Sequence, residues 1–304
     1  MSRDRRLYVG SPYQLRLALR ERTSNLSWSP DGTRLAAEVD PPKDDPVGEI
    51  FSPKTDSWTR LPDMTGPFCW TAKAQIVGVT AGGPDLSDPS YWVRTYDPEA
   101  RRVLTDWAVP FGPVRMASTS SGDIVFSEVQ AHSSPGGHGD LYGVNSQGFR
   151  RLASFQCEVS PFLWTLGNGR VSWVDFDDKA FLASLESIRP DGSDRKSVKL
   201  PPASNLLAPK PGMETVLALG WPLSDGRVIL VIAQGKNLRN DKKKQVGELY
   251  GVIGDPTFKH ARVLRLGPLD SKKKLLEDVD SSGSSKYLAL KYNDRTELID
   301  ISLR

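Results

Sequence analysis

Apolar and polar positions alternate in short runs that are repeatedly broken by Gly, Pro, Asp or Asn. Leu26-Ser27-Trp28 and Leu35-Ala-Ala-Glu-Val39 flank Ser29-Pro30-Asp31-Gly32, which reads as a strand, a tight turn and a second strand. The unit recurs at Phe162-Leu-Trp164 to Gly169-Arg170-Val-Ser-Trp-Val174. It recurs again at Leu219-Gly-Trp221 to Asp225-Gly226-Arg227-Val-Ile-Leu-Val231. Weaker copies run from Phe68-Cys-Trp70 to Val79, from Val114-Arg-Met116 to Phe126, and from Leu276 through Gly283 to Leu290.

The turn markers at 32, 73, 122, 169, 226 and 283 lie 41, 49, 47, 57 and 57 residues apart, spacing that suits a four-stranded propeller blade. Asp140-Leu-Tyr-Gly-Val144, Glu248-Leu-Tyr-Gly-Val252 and Glu297-Leu-Ile-Asp-Ile301 mark a third strand per blade. A basic-apolar fourth strand follows at Trp58 to Leu61, Arg101 to Thr105, Phe149 to Leu152, Lys196 to Leu200 and Arg262 to Leu266. The sixth unit lacks that fourth strand, and an open sheet edge is a liability. Residues Tyr13 to Arg20 carry apolar side chains at 13, 15, 17 and 19, period two rather than helical, and can supply it. The fold expected is all-β: a six-bladed β-propeller of four-stranded antiparallel blades, one domain over 1–304. Its last blade is composite, from residues 13–20 and 275–304, closed by the N-terminal strand.

Trp28-Ser29-Pro30-Asp31-Gly32 resembles the repeat of TolB-type, WD-like six-bladed β-propellers, with partial matches at Ser224-Asp225-Gly226 and Ser282-Gly283. The likeness covers nearly the whole chain and is specific for fold. It implies relatives among periplasmic envelope proteins that bind partner peptides and propellers that cap serine peptidases. The chain departs from the first by showing no leader or N-terminal companion domain, and from the second by showing no hydrolase domain.

Composition fits this frame. With 26 Gly and 23 Pro, turns are frequent and helices few. The 40 Lys and Arg against 37 Asp and Glu leave +3, too little for a nucleic-acid field over the whole protein. Cys69 and Cys157 are the only cysteines, too few for a disulfide framework. Neither a signal peptide nor an eighteen-residue apolar run is visible, so the expectation is a soluble cytoplasmic protein without membrane insertion.

Loops joining first to second and third to fourth strands are tight. The others are long and variable, and binding residues belong on such loops. Two lysine triplets fall there, Lys242, Lys243, Lys244 and Lys272, Lys273, Lys274, while the loops 40–47, 80–90 and 175–179 are acidic. Solvated loop tips are the bland reading of the lysines, an acidic protein surface the sharper one. Nucleic acid is disfavoured because no aromatics interleave with the lysines. Leu206, Leu207, Met213, Trp107 and Phe111 in the remaining loops are candidate apolar anchors.

Catalytic signatures are thin. His132, His138 and Asp140 form no ligand set of fixed spacing, His260 sits among cations, and neither a Gly-x-Ser-x-Gly elbow nor a P-loop is present. Asp175, Asp177 and Asp178 could join a carboxylate of another blade. The tryptophans at 28, 70, 164 and 221 read as packing between blades. The expected function is a non-catalytic scaffold, without cofactor or metal, that binds a protein or peptide and is a monomer or a subunit of a larger complex. The alternative is a propeller hydrolase or lyase with a metal or carboxylate site at the channel mouth.

Overall fold

The computed structural model describes residues 6–11, 14–17, 22–40, 45–52, 54–55, 57–81, 91–130, 138–156, 163–165, 168–177, 182–223, 225–238, 246–270, 276–281, 287–292 and 295–300. Strands β1 (Arg6–Ser11) and β2 (Gln14–Leu17) form an N-terminal hairpin. Blade one is β3 (Arg22–Trp28), β4 (Leu35–Asp40), β5 (Val47–Ser52) and β6 (Ser57–Arg60). Blade two is β7 (Thr65–Trp70), β8 (Ile76–Ala81), β9 (Tyr91–Asp97) and β10 (Arg102–Val109). Blade three is β11 (Arg115–Ser118), β12 (Ile124–Gln130), β13 (His138–Asn145) and β14 (Gly148–Gln156). Blade four is β15 (Trp164–Thr165), β16 (Val171–Asp177), β17 (Leu182–Ile188) and β18 (Lys196–Lys199). A single turn of helix, α1 (Ala203–Leu206), leads into blade five: β19 (Glu214–Pro222), β20 (Val228–Lys236), β21 (Val246–Gly254) and β22 (Arg262–Asp270). The chain ends in β23 (Leu276–Ser281), β24 (Tyr287–Tyr292) and β25 (Arg295–Asp300).

Five of these sheets are four-stranded blades, each in simple strand order, where six were expected. The remaining sheet is five-stranded and mixed, in the order β2-β1-β25-β24-β23. The strand beside β25 is β1, joined in parallel through Arg6 to Arg295 and Leu7 to Thr296, not the expected 13–20 segment. Within that segment, β2 pairs with β1 instead. The physical reason lies in Leu7-Tyr8-Val9, a second strand-forming run that makes residues 6–17 a hairpin, in which β2 takes the ladder groups on one edge of β1 and leaves those on the other edge for β25. No helix among the described residues is long and apolar enough to cross a membrane.

The tight first turn repeats as a local device. Gly32 N donates to Ser29 O at 2.8 Å, Ala74 N to Thr71 O at 3.0 Å, Gly122 N to Thr119 O at 3.0 Å and Gly226 N to Leu223 O at 3.0 Å. Gly32, Gly122, Gly169 and Gly226 all hold positive φ, between +68° and +89°, which glycine adopts without steric cost. The sixth marker, Gly283, lies outside the described residues.

The chain divides into two compact units, one of Met1–Glu128, Tyr142–Arg151 and Leu276–Arg304, the other of Val129–Leu141 and Leu152–Leu275. In the first unit, the inner strands of successive blades are stitched side chain to backbone. The Trp70 indole Nε1 donates to Ser27 O at 2.9 Å, and Ser118 Oγ donates to Trp70 O at 2.6 Å. Beside Trp70, Cys69 is buried in an apolar cluster with Val77, Val93 and Phe126, and burial pushes its thiol pKa far up. In the second unit, Val174, Val228, Leu230, Ile232 and Val252 form the core between blades four and five.

Candidate functional site

The anchor residues expected from the sequence fall into one group in each unit. In the first, Trp107 lies on strand β10 opposite Val93 rather than on a loop, because β10 runs four residues beyond the expected Thr105. Phe111 follows in the connection to β11, and both pack against the cluster containing Cys69 and Phe126. Around Phe111 the fold assembles an aromatic ladder from three neighbouring strands of blade three. Phe126 on β12 is fully buried, Tyr142 on β13 is half-buried, and Phe149 on β14 is 37% exposed. Tyr142 and Phe149 stack at 4.9 Å with planes 13° apart, and Phe126 lies 5.9 Å from Tyr142. Phe111 leans across them, 4.6 Å from Tyr142 and 5.6 Å from Phe149. Each such pair contributes roughly 0.5–1.5 kcal/mol beyond simple burial. The ladder therefore presents a rigid aromatic edge to solvent. Val114, three residues after Phe111, is 40% exposed.

In the second unit, Leu206 and Leu207 turn inward onto the core around Leu230 and Ile232. The segment after them is pinned as a ledge. Gln234 Nε2 donates to Ala208 O at 2.9 Å and to Thr215 Oγ1 at 3.2 Å, and Met213 N donates to Lys210 O at 3.0 Å. Met213 is left 39% exposed. Lys210 Nζ sits 3.4 Å from the Tyr250 hydroxyl and 5.8 Å from its ring centre. That hydroxyl donates to Glu248, and Arg265 donates to the other oxygen of the same carboxylate. The Tyr250 hydrogen bond, then Arg265 and the Lys210 charge, hold the Glu248 carboxyl below the usual glutamate range. Every charge in this group has a partner of opposite sign or a donor, so it braces the ledge rather than standing ready for proton transfer.

Lys242, Lys243, Lys244, Lys272, Lys273 and Lys274 lie outside the described residues, as do His132 and Asp178. His260 is exposed in a turn, and Asp175 lies on β16. Trp28, Trp70 and Trp221 are buried, which agrees with packing. Among the described residues, no group of three or more His, Cys, Asp or Glu is arranged to hold a metal ion. The sequence reading passed over Tyr142, Phe149, Lys210, Glu248, Tyr250 and Arg265. A signal existed for four of them: the copies Asp140-Leu-Tyr142 and Glu248-Leu-Tyr250 put a tyrosine in one slot of two blades, and Phe149 and Arg265 stand on the strand next to it.

No protein-family model and no curated protein matches the chain. Solved structures do, in 302 chains. The Pyrococcus horikoshii acylaminoacyl peptidase aligns at 13% identity with a TM-score of 0.55, over 94% of this chain and 44% of the peptidase. The β-propeller domain of the trilobed protease from Pyrococcus furiosus aligns at 12% identity and a TM-score of 0.53, over 94% of this chain and 82% of that one. A TolB-type protein from Agrobacterium tumefaciens aligns at 13% identity and 0.51, over 84% and 86%. This chain has a β-propeller fold. At these identities the likeness reaches the fold only, and the propeller spans less than half the length of the peptidase it resembles.

Proposed function

We propose that this propeller is a non-catalytic scaffold, one domain, that binds a protein or peptide partner. The observation that carries the reading is the aromatic ladder, in which a half-exposed Phe149 is backed by Tyr142, Phe111 and a fully buried Phe126. Large aromatic side chains fixed by a packed base are the residues that dominate interface energies, because little side-chain entropy is left to lose on binding. Exposed Met213 on its braced ledge supports a second point of contact. Leu206 and Leu207 act beneath it, as the floor that holds the ledge. The two lysine triplets then steer a partner with an acidic surface, setting association rate more than complex lifetime. Fold likeness does not separate a scaffold from an enzyme, since the neighbours include a peptidase and a TolB-type protein alike, so the side chains carry the reading.

The test is cross-linking in a lysate of the source organism with mass spectrometry, using wild type, Phe149→Asp with Val114→Asp, and Leu182→Asp. Leu182 is 45% exposed in blade four and serves as the control. A partner bound by wild type and by Leu182→Asp, and lost from the ladder variant at an unchanged melting temperature, supports the proposal. Binding that survives in both variants overturns it. For a captured partner, reversing the six lysines to glutamate slows association by about tenfold or more at low salt.

A further inference from the structure

In four of the tight turns, the residue before a positive-φ glycine folds its side chain back onto the backbone two residues ahead. Asp31 Oδ1 accepts from Thr33 N at 3.0 Å, Asp191 Oδ1 from Ser193 N at 2.8 Å, and Asp225 Oδ1 from Arg227 N at 3.0 Å. In the first turn of blade four the same position is Asn168, whose Oδ1 accepts from Arg170 N at 3.1 Å. The following Gly169 has φ +76°, so the turn itself requires glycine there. Asn168-Gly169 is the only Asn-Gly pair in the chain.

We propose that Asn168 is a site of spontaneous chemical modification that converts this turn to the aspartate form its sister turns already have. The hydrogen bond from Arg170 N bends the Asn168 side chain over the Gly169 peptide and polarises its carbonyl. Glycine has no side chain to block approach to its amide nitrogen. The Gly169 nitrogen attacks Asn168 Cγ; the new N–C bond forms, the Cγ–Nδ2 bond breaks, and ammonia leaves with the amide proton. Solvent water then opens the resulting five-membered imide at one of its two carbonyls. One opening gives aspartate at 168, the other an isoaspartyl link with an extra backbone methylene in the turn. No oxidant or reductant takes part.

The aspartate product fits what the fold already accommodates at 31, 191 and 225. It also places a carboxylate two residues from Arg170. In blade five the equivalent pair is closed, Arg227 Nε donating to Asp225 Oδ2 at 2.7 Å. In blade four Arg170 reaches instead to Asp194 Oδ2 at 2.6 Å, in the turn between β17 and β18. Modification therefore gives Arg170 two competing anions, one in the β15–β16 turn and one in the β17–β18 turn.

The experiment incubates the folded, full-length chain in mildly alkaline buffer and follows peptides by mass spectrometry, beside Asn168→Ser and Asn168→Asp. The serine variant copies the Ser121-Gly122 turn of blade three. The expected result is a shift of one mass unit on the peptide containing Asn168, ahead of every other asparagine, and loss of that shift in Asn168→Ser. Asn168→Asp is expected to melt as wild type does. If Asn168 converts only after denaturation, the turn protects it and the proposal falls. Should Asn168→Asp fail to fold, the fit of the product to the turn is refuted.

Discussion

Blades four and five share one core but are held in different ways. All four strands of blade five have nine residues, and Ile229, Leu230, Val231 and Ile232 in its second strand are wholly buried. Blade four begins with a two-residue strand and ends with a four-residue one that is exposed throughout. It compensates with buried charge. Arg170 donates through Nε to Ser187 Oγ and through Nη2 to Ser187 O, both at 3.1 Å, and reaches Asp194 through Nη1. The buried Glu186 carboxylate accepts from Ser184 Oγ at 2.8 Å and Arg195 Nε at 3.0 Å. Where ladder and apolar area are short, directional bonds across the strand ends hold the blade, and they fail one partner at a time.

The largest expected effect lies in blade five. Leu230→Ala leaves a cavity in a packed interior and lowers unfolding free energy by about 3 kcal/mol, read from urea midpoints. Leu185→Ala in blade four, half-buried against the same core, costs clearly less. Equal losses would dissolve the contrast.

Next in size are the two turn arginines. Arg170→Met strips a buried guanidinium from the Ser187 hydroxyl and carbonyl and from the Asp194 carboxylate, at a cost of about 2 kcal/mol. Arg227→Met removes a pair with the 41%-exposed Asp225 and costs less than about 1 kcal/mol. A reversed order in the urea midpoints would show that Arg170 is not the clamp of blade four.

The smallest effect is in pH. The hydrogen bond from Arg170, then the charges of Lys196, Arg170 and Arg189, lower the Asp194 pKa below its ordinary 3.8. A carboxyl lowered in the folded state binds protons more readily when unfolded. Its stabilisation is therefore complete above the ordinary value and is lost as pH falls through the folded one. Asp194→Asn should flatten the decline of stability below about pH 4 relative to wild type. An unchanged acid limb would place Asp194 outside the clamp.

These features were unequally legible. The turns at 32, 122, 169 and 226 could be read directly, because positive φ selects glycine and glycine between alternating runs is visible in the chain. The burial of Trp28, Trp70 and Trp221 followed from their common slot, but the expected packing between blades is seen in Trp70, against Ala36 and Ile50, while Trp28 clusters with residues of its own blade. The N-terminal join was misplaced because period two, clear in 14–17, identifies a strand but not its neighbour, while the continuous run Leu7-Tyr8-Val9 lacks that period and forms the strand that meets β25. Arg170 with Asp194 was hidden because 24 residues separate them and it takes the β16–β17 register, Val171 opposite Ile188, together with the β17–β18 turn to bring them together. The aromatic ladder was half visible: Phe111 stood out as an apolar loop residue, while Tyr142 and Phe149 looked like ordinary strand positions until their strands were side by side.

The two bonds of Trp70 have a consequence for how the first unit comes apart. An array of blades held only by flat apolar contact could shed its members singly, each opening costing one interface. Here one residue of β7 grips β3 through its ring and β11 through its carbonyl. Loosening blade two frees a donor and an acceptor on both sides at once, so the local opening free energy of the middle blade approaches that of its neighbours. Hydrogen exchange along β3, β7 and β11 should then report one cooperative event, and the buried Cys69 thiol beside Trp70 is a natural probe for the moment it happens.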